Sequence, residues 1–318
     1  MSTNFIKPVT TQLCMAALLA GLSLPVLAVD WGAAKAAEVP MFFPGQTSLE
    51  WMYGKKNHDG AGRYKKRKKN CRGCHTGDEA EYGPKIVKGG DTEAGPLAGR
   101  NGFLNMQVKA ANDGSNLYLR LEWPKQGAAS SKQDADNDTK VTFMFDDGAV
   151  EEFTAGGCWA VCHIDSKKMP AAKGDGKTKY LGESRTNMTR KKGGADKFKS
   201  DGDLAALMSS GVYLEYWQAQ LNPGQPAKVI DGYILKERSE NSTATVTATA
   251  TEAGGNWVVE FSRPLAAGAN QKALSPGKQY TVGFALHDQN TEGRYHLTSL
   301  QYTMQLDGGD ADLVAVKQ

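Results

Sequence analysis

The chain is 318 residues long; 40% of its residues are hydrophobic and 23% charged. That is too apolar for a disordered chain and long enough to bury one sizeable core or two small ones. Its 36 glycines make up about 11% of the chain against a usual level of about 7%, so tight turns are plentiful. A net charge of +3, from 38 basic and 35 acidic residues, excludes nucleic-acid binding driven by bulk charge. A single long apolar run excludes a multi-pass membrane protein.

That run, residues 13–28, follows a short polar start carrying Lys7. It contains Pro25 and is shorter than the roughly 20 residues a spanning helix needs. Val26 and Ala28 precede Val29 in the small-residue spacing of a secretory signal cut. Cys14 follows Leu13, with no small residue directly before it, which argues against a lipoprotein cut. Residues 1–28 are therefore expected to be a removed signal peptide. The remaining chain is expected to be periplasmic, without an integral membrane span, and to keep four cysteines.

Lys55 to Arg72 carries nine cations (Lys55, Lys56, Arg63, Lys65, Lys66, Arg67, Lys68, Lys69 and Arg72) against one acid, Asp59. Such a stretch is either a solvated loop or a surface that steers an acidic redox partner. It runs into Cys71-Arg72-Gly73-Cys74-His75, the C-x-x-C-H signature of covalent haem attachment. The spacing has a chemical reason: each thiol adds to one porphyrin vinyl, and the adjoining His turns its imidazole under the iron. Cys158 to His163 repeats the pattern with one more residue between the cysteines, which still spans two vinyls if that residue bulges outward. Disulfides, a zinc site or a redox dithiol would also use paired cysteines. None of these explains a His directly after the second cysteine in both motifs.

The rest of the chain reads as short strands of alternating or β-branched residues. Phe103–Val108, Leu117–Trp123 and Val141–Phe145 precede the second motif. After it come eleven cations between residues 167 and 199, best read as a solvated surface, and one short helix over Asp201–Ser209. Val212–Trp217, Thr243–Thr251, Trp257–Phe261, Tyr280–Leu286 and Tyr295–Leu306 continue the strands. Asn112-Asp113-Gly114, Asp146-Asp147-Gly148, Gly254-Gly255-Asn256 and Pro276-Gly277 mark turns between them. The fold expected is mainly β, an antiparallel β-sandwich with few short helices. Residues 29–95 form an N-terminal segment bearing the first motif, and 96–318 the sandwich bearing the second.

Haem iron in an electron carrier takes a second axial ligand, His or Met. With His75 and His163 proximal, His58, His287 and His296 are left for two distal positions. Met106, Met144, Met169 and Met188 compete, although apolar-flanked methionine is mostly core filler. His58 is favoured as the distal ligand beside Cys71 and Cys74, with His287 the runner-up.

Four segments resemble a known family: GCWAVCH at 157–163, YLGESRTN at 180–187, WVVEFSRPL at 257–265 and YTVGFALHDQNTEGRYHLTS at 280–299. They are similar to the haem-binding domain shared by cytochrome c-552-like proteins and the γ subunits of ethylbenzene and dimethylsulfide dehydrogenases. The resemblance covers nearly all of the chain after residue 28, and it implies a β-sandwich that holds haem. In the γ subunits a non-covalent b haem is held through Met and Lys. Here the resemblance puts His163 at the Met position and His296 at the Lys position. Cys158 and Cys162 would make that haem covalent, and the motif at Cys71 would be an added haem on an insertion.

The resulting expectation is a periplasmic carrier with two covalently bound haem c groups, no substrate chemistry, and a redox partner protein of acidic surface. The alternatives are an electron-transfer subunit of a molybdenum enzyme, a redox enzyme with an open haem iron, or a haem-free ligand-binding sandwich with disulfides.

Overall fold

A computed structural model of the chain describes residues 1, 29–45, 52, 54, 58–67, 69–89, 92–93, 95–127, 133–162, 181–186, 188–189, 193–194, 198–288 and 291–318. His163, Met169, Lys55, Lys56, Lys68 and the signal-like run 13–28 lie outside these residues, as do the side chains of Cys162, Met188 and residues 65–67. Most of the second basic stretch does too.

Among the described residues thirteen strands form one sheet. They are β1 (Ala37–Phe42), β2 (Phe103–Asn112), β3 (Asn116–Pro124), β4 (Thr139–Asp146), β7 (Leu214–Leu221), β8 (Lys228–Ile234), β9 (Arg238–Glu240), β10 (Thr247–Ala253), β11 (Asn256–Pro264), β12 (Gln279–His287), β13 (Leu297–Thr298), β14 (Tyr302–Leu306) and β15 (Leu313–Lys317). Two further short strands, β5 (Met188–Thr189) and β6 (Gly193–Gly194), pair only with each other. The order in the large sheet is β10-β11-β3-β2-β1-β13-β12-β4-β7-β8-β9. β14 pairs with β12 and β15, and β15 returns to β2, so six strands close into a ring. All pairings are antiparallel except β14 with β15 and β15 with β2.

Period-two burial makes these strands. In β3, Leu117, Leu119, Leu121 and Trp123 are fully buried while Asn116, Tyr118, Arg120 and Glu122 face outward. The central strand β4 is buried on both faces. Val141, Phe143 and Phe145 enter the main core with Trp217, Phe261 and Phe284. Met144 points the other way, into a second cluster with Phe153, Cys158, Tyr216 and Ala285. The sheet thus separates a dry core from an outer apolar layer. Met106, a candidate ligand, is core filler, and Met144 fills the outer layer.

The helices are short: α1 (Ala61–Arg67), α2 (Arg72–His75), α3 (Glu79–Val87), α4 (Glu151–Cys162) and α5 (Asp201–Ser209). The expected helix over Asp201–Ser209 is present, and the Ser200 hydroxyl caps it by accepting from the Asp203 N–H at 3.2 Å. The run Tyr295–Leu306 is not one strand. It breaks at residues 299–301, where the backbone passes Gly157 of α4. β1, β8 and β15 were not expected; Pro40 inside β1 weakens its strand pattern.

Candidate cofactor site

The first motif forms the single turn α2. Asn70 Oδ1 accepts from the Gly73 N–H at 2.7 Å, and the Thr76 hydroxyl donates to the Arg72 carbonyl at 2.6 Å. Two contacts pin the turn to the sandwich. The Cys71 N–H donates to the Ala155 carbonyl of α4 at 2.8 Å. Arg72 pairs with Asp312 at 2.9 Å, and its guanidinium lies 4.0 Å from the centre of the Tyr302 ring. Arg72 is therefore an anchor, not one of the solvated cations the basic stretch suggested.

α2 forms one wall of a cavity of about 690 Å³, lined among others by His58, Cys71, Cys74, His75, Trp159 and Leu300. That volume is in the range of cofactor pockets. His58 faces His75 across it, with ring centres 6.1 Å apart and planes tilted by 34°. Each imidazole is oriented through Nδ1. His58 bonds the Met52 carbonyl at 3.0 Å, and His75 bonds Asp78 Oδ2 at 3.1 Å. With Nδ1 donating, each ring presents its lone pair at Nε2. Tyr82 packs edge-on against His75 at 5.9 Å.

The two cysteines differ. Cys74 is exposed, Cys71 is buried, and both are free thiols. Burial, and then the neighbouring Cys74, push the Cys71 thiol up to about 12.

The second motif, as far as Cys162, rides on α4, which lies on the outer face of β12. Two glycines permit the contact. A Cβ on Gly283 would stand 2.6 Å from the Cys158 nitrogen. Gly157 has φ +62° and ψ −150°, a backbone that non-glycine residues avoid, and a Cβ there would meet the Gln301 nitrogen at 2.5 Å. Cys158 is fully buried in the outer layer.

His287 ends β12 and His296 sits just before β13. Both are buried, with ring centres 4.5 Å apart. His287 Nε2 donates to the Gly293 carbonyl at 3.0 Å. The ring of the runner-up His287 thus packs on His296, and His287 is absent from the lining of the first-motif cavity. Nearby, Arg294 binds Glu93 through two hydrogen bonds of 2.7 and 2.9 Å, and burial lowers the Arg100 guanidinium to about 10.

Sequence reading did not single out Asp78, Gly156, Gly157, the Met52 carbonyl or Trp159. The Gly-Gly pair before Cys158 and the acid three residues after His75 were the available signals. Among the described residues, no group of three or more His, Cys, Asp or Glu is placed to hold a metal ion. No helix there is long and apolar enough to cross a membrane.

Comparison with known proteins places these features in context. A profile of the ethylbenzene dehydrogenase family matches residues 28–299. Cytochrome c-552 of Stutzerimonas stutzeri is 40% identical over 295 residues, covering 91% of each chain. Cytochrome c-551 of Rhodocyclus tenuis is 26% identical over 293 residues, covering 92% of this chain and all of the relative. A putative carbohydrate-binding protein from Bacteroides uniformis ATCC 8492 is 12% identical with a TM-score of 0.31, over 62% of this chain and 69% of that one. That last likeness is too slight to bear on function.

Proposed function

The chain belongs to the ethylbenzene dehydrogenase family, and on that premise we propose that it is a periplasmic dihaem c-type cytochrome that passes electrons between redox partners. The observation that carries this reading is the His58–His75 pair. Two metal–nitrogen bonds of about 2 Å, plus about 1 Å from each nitrogen to its ring centre, make roughly 6 Å. The ring centres stand 6.1 Å apart, on the walls of a cavity that also presents Cys71 and Cys74. The donor set therefore fits one haem, which His75 and His58 would hold by nitrogen and Cys71 and Cys74 by thioether bonds.

For the second haem the reading assigns Cys158 and Cys162 as anchors, His163 as proximal ligand and His296 as distal ligand. The burial of Cys158 and His296 supports a dry site. A ring separation of 4.5 Å leaves no room for a metal between His287 and His296, so His287 acts by packing against its neighbour. Bound haem would supply one-electron Fe(III)/Fe(II) chemistry. The chain's own residues fix the imidazoles, exclude water and, through Asp78, hold the proton on His75 Nδ1.

An optical spectrum of the purified protein, taken with its haem-to-protein ratio after acid-acetone extraction, tests this directly. Two retained haems with six-coordinate, low-spin spectra are expected. A colourless protein would discard the reading, and a single retained haem would remove the claim at Cys158.

Exposed Arg63, Lys69 and Lys85 stand around the first cavity and suit a partner with an acidic face. Reduction by an acidic donor protein is expected to slow as salt is raised, because exposed charges are screened beyond about 8 Å at physiological ionic strength. A rate that ignores both salt and the neutralisation of these cations would sink the steering claim.

A second reading, an electron-transfer subunit of a molybdenum enzyme, is favoured by the family to which the chain belongs. Under it the native protein would migrate with a larger partner rather than alone.

A further inference from the structure

The connection that follows the first motif returns a carboxylate to it. Gly77, with φ +92°, takes the left-handed turn between α2 and α3, and the Asp78 N–H then donates to the His75 carbonyl at 3.1 Å. Asp78 stands directly before α3, where an aspartate side chain usually caps the helix by accepting from a backbone N–H. Among the described residues it makes no such bond. Glu79 supplies the local acceptor instead, taking the Gly77 N–H on Oε2 at 2.8 Å. Asp78 Oδ2 is turned to His75 Nδ1, 3.1 Å away. A carboxylate only accepts, so the imidazole donates through Nδ1.

The two imidazoles that face each other across the cavity therefore differ. His58 Nδ1 bonds the Met52 carbonyl, a neutral acceptor, whereas His75 Nδ1 bonds a carboxylate. A hydrogen bond to a charged acceptor is roughly twice as strong as one between neutral groups. It draws the ring toward imidazolate and raises the donor strength of Nε2. We propose that Asp78 is a positioning residue whose charge makes His75 the stronger donor of the pair and holds the reduction potential of the first site low. The inference rests on the reading of this cavity as a haem site, where hydrogen bonding behind an axial ligand is one of the protein's means of setting potential. Tyr82, one helical turn beyond Asp78, packs edge-on against the same imidazole at 5.9 Å and backs the orientation.

The test uses the full-length holoprotein and the variants Asp78→Asn, Asp78→Ala and Asp78→Glu. Haem retained per chain and midpoint potential, from an optical redox titration, are measured on each. Asp78→Asn keeps the shape and an accepting oxygen but drops the charge, and it is expected to move one redox step to higher potential. Asp78→Ala is expected to move the same step in the same direction, while Asp78→Glu, which keeps the charge, stays nearer wild type than either. Where two steps are seen, only one should move. Should Asp78→Asn shed its haem, Asp78→Ser takes its place in the comparison. A neutral variant that keeps its haem and the wild-type potential would overturn the role of Asp78 and leave the haem reading standing. A wild-type protein whose Cys71–Cys74 peptide carries no haem would overturn both.

Discussion

At Cys71–His75 the chain builds with near neighbours. Asn70 and Thr76 close the turn, Asp78 orients His75, and His58 arrives from the segment just upstream. At Cys158 it builds with a distant strand: α4 is seated on Gly283 of β12. The first site is a half-open cavity with exposed cations around it. Cys158, by contrast, is sealed against the sheet and fully buried. Local construction leaves a site accessible, whereas construction on sheet register leaves it dry. Exposure and ligand field are what tune a haem, so on the dihaem reading the two haems would differ.

The sharpest way to break this comparison is to remove the two imidazoles that the proposed reading assigns as distal, His58 and His296. His58→Gly should open the first iron, giving a high-spin spectrum and CO binding, and added imidazole should restore the low-spin form through the open cavity. His296→Gly should give the same high-spin signal at the second iron, but imidazole should restore it slowly or not at all. Equal rescue at both sites would erase the distinction between open and sealed. An unchanged spectrum in either variant would move that ligand elsewhere.

A smaller effect is expected from the kink that seats α4. Gly157→Ala places a side chain in a backbone region that costs about 1–3 kcal/mol, and it crowds the Gln301 nitrogen. Chemical denaturation should show a loss of that order, while Gly62→Ala, where the added Cβ meets nothing within 4 Å, should cost nothing or stabilise α1. If both substitutions behave alike, the strain argument fails.

The smallest expected effect is a pH dependence at the start of α4. Burial first, and then a hydrogen bond to Glu183, hold the Glu152 carboxyl well above the usual carboxylate range. Folding therefore favours the protonated acid. Its contribution is full below the unfolded value of about 4.3 and is lost as pH rises through the raised folded value. Glu152→Gln should flatten the fall of Tm with rising pH and leave the protein more stable at neutral pH. An identical slope in wild type and variant would show that the carboxyl is not the group responsible.

Much of this was legible in the residues. The family was carried by residues close together along the chain, and alternation announced β3, β11 and β12 because period two is a local property of a strand. The helix at Asp201–Ser209 was legible for the same reason, its cap being three residues from its partner. The choice between His58 and His287 was not. Both are lone histidines with ordinary neighbours, and only the folded chain places one ring 6.1 Å from His75 and the other 4.5 Å from His296.

By itself, then, the sequence determined the mainly β fold class and the family, since each is written in residues close together along the chain. Tertiary structure alone decided which imidazoles face each other. It also decided that Arg72 is an anchor to Asp312 and that Trp159, from the second motif, lines the cavity of the first. These depend on strand register and on close approach at Gly156, Gly157 and Gly283. Such approaches join segments far apart in the chain, and no local pattern encodes the distance between them.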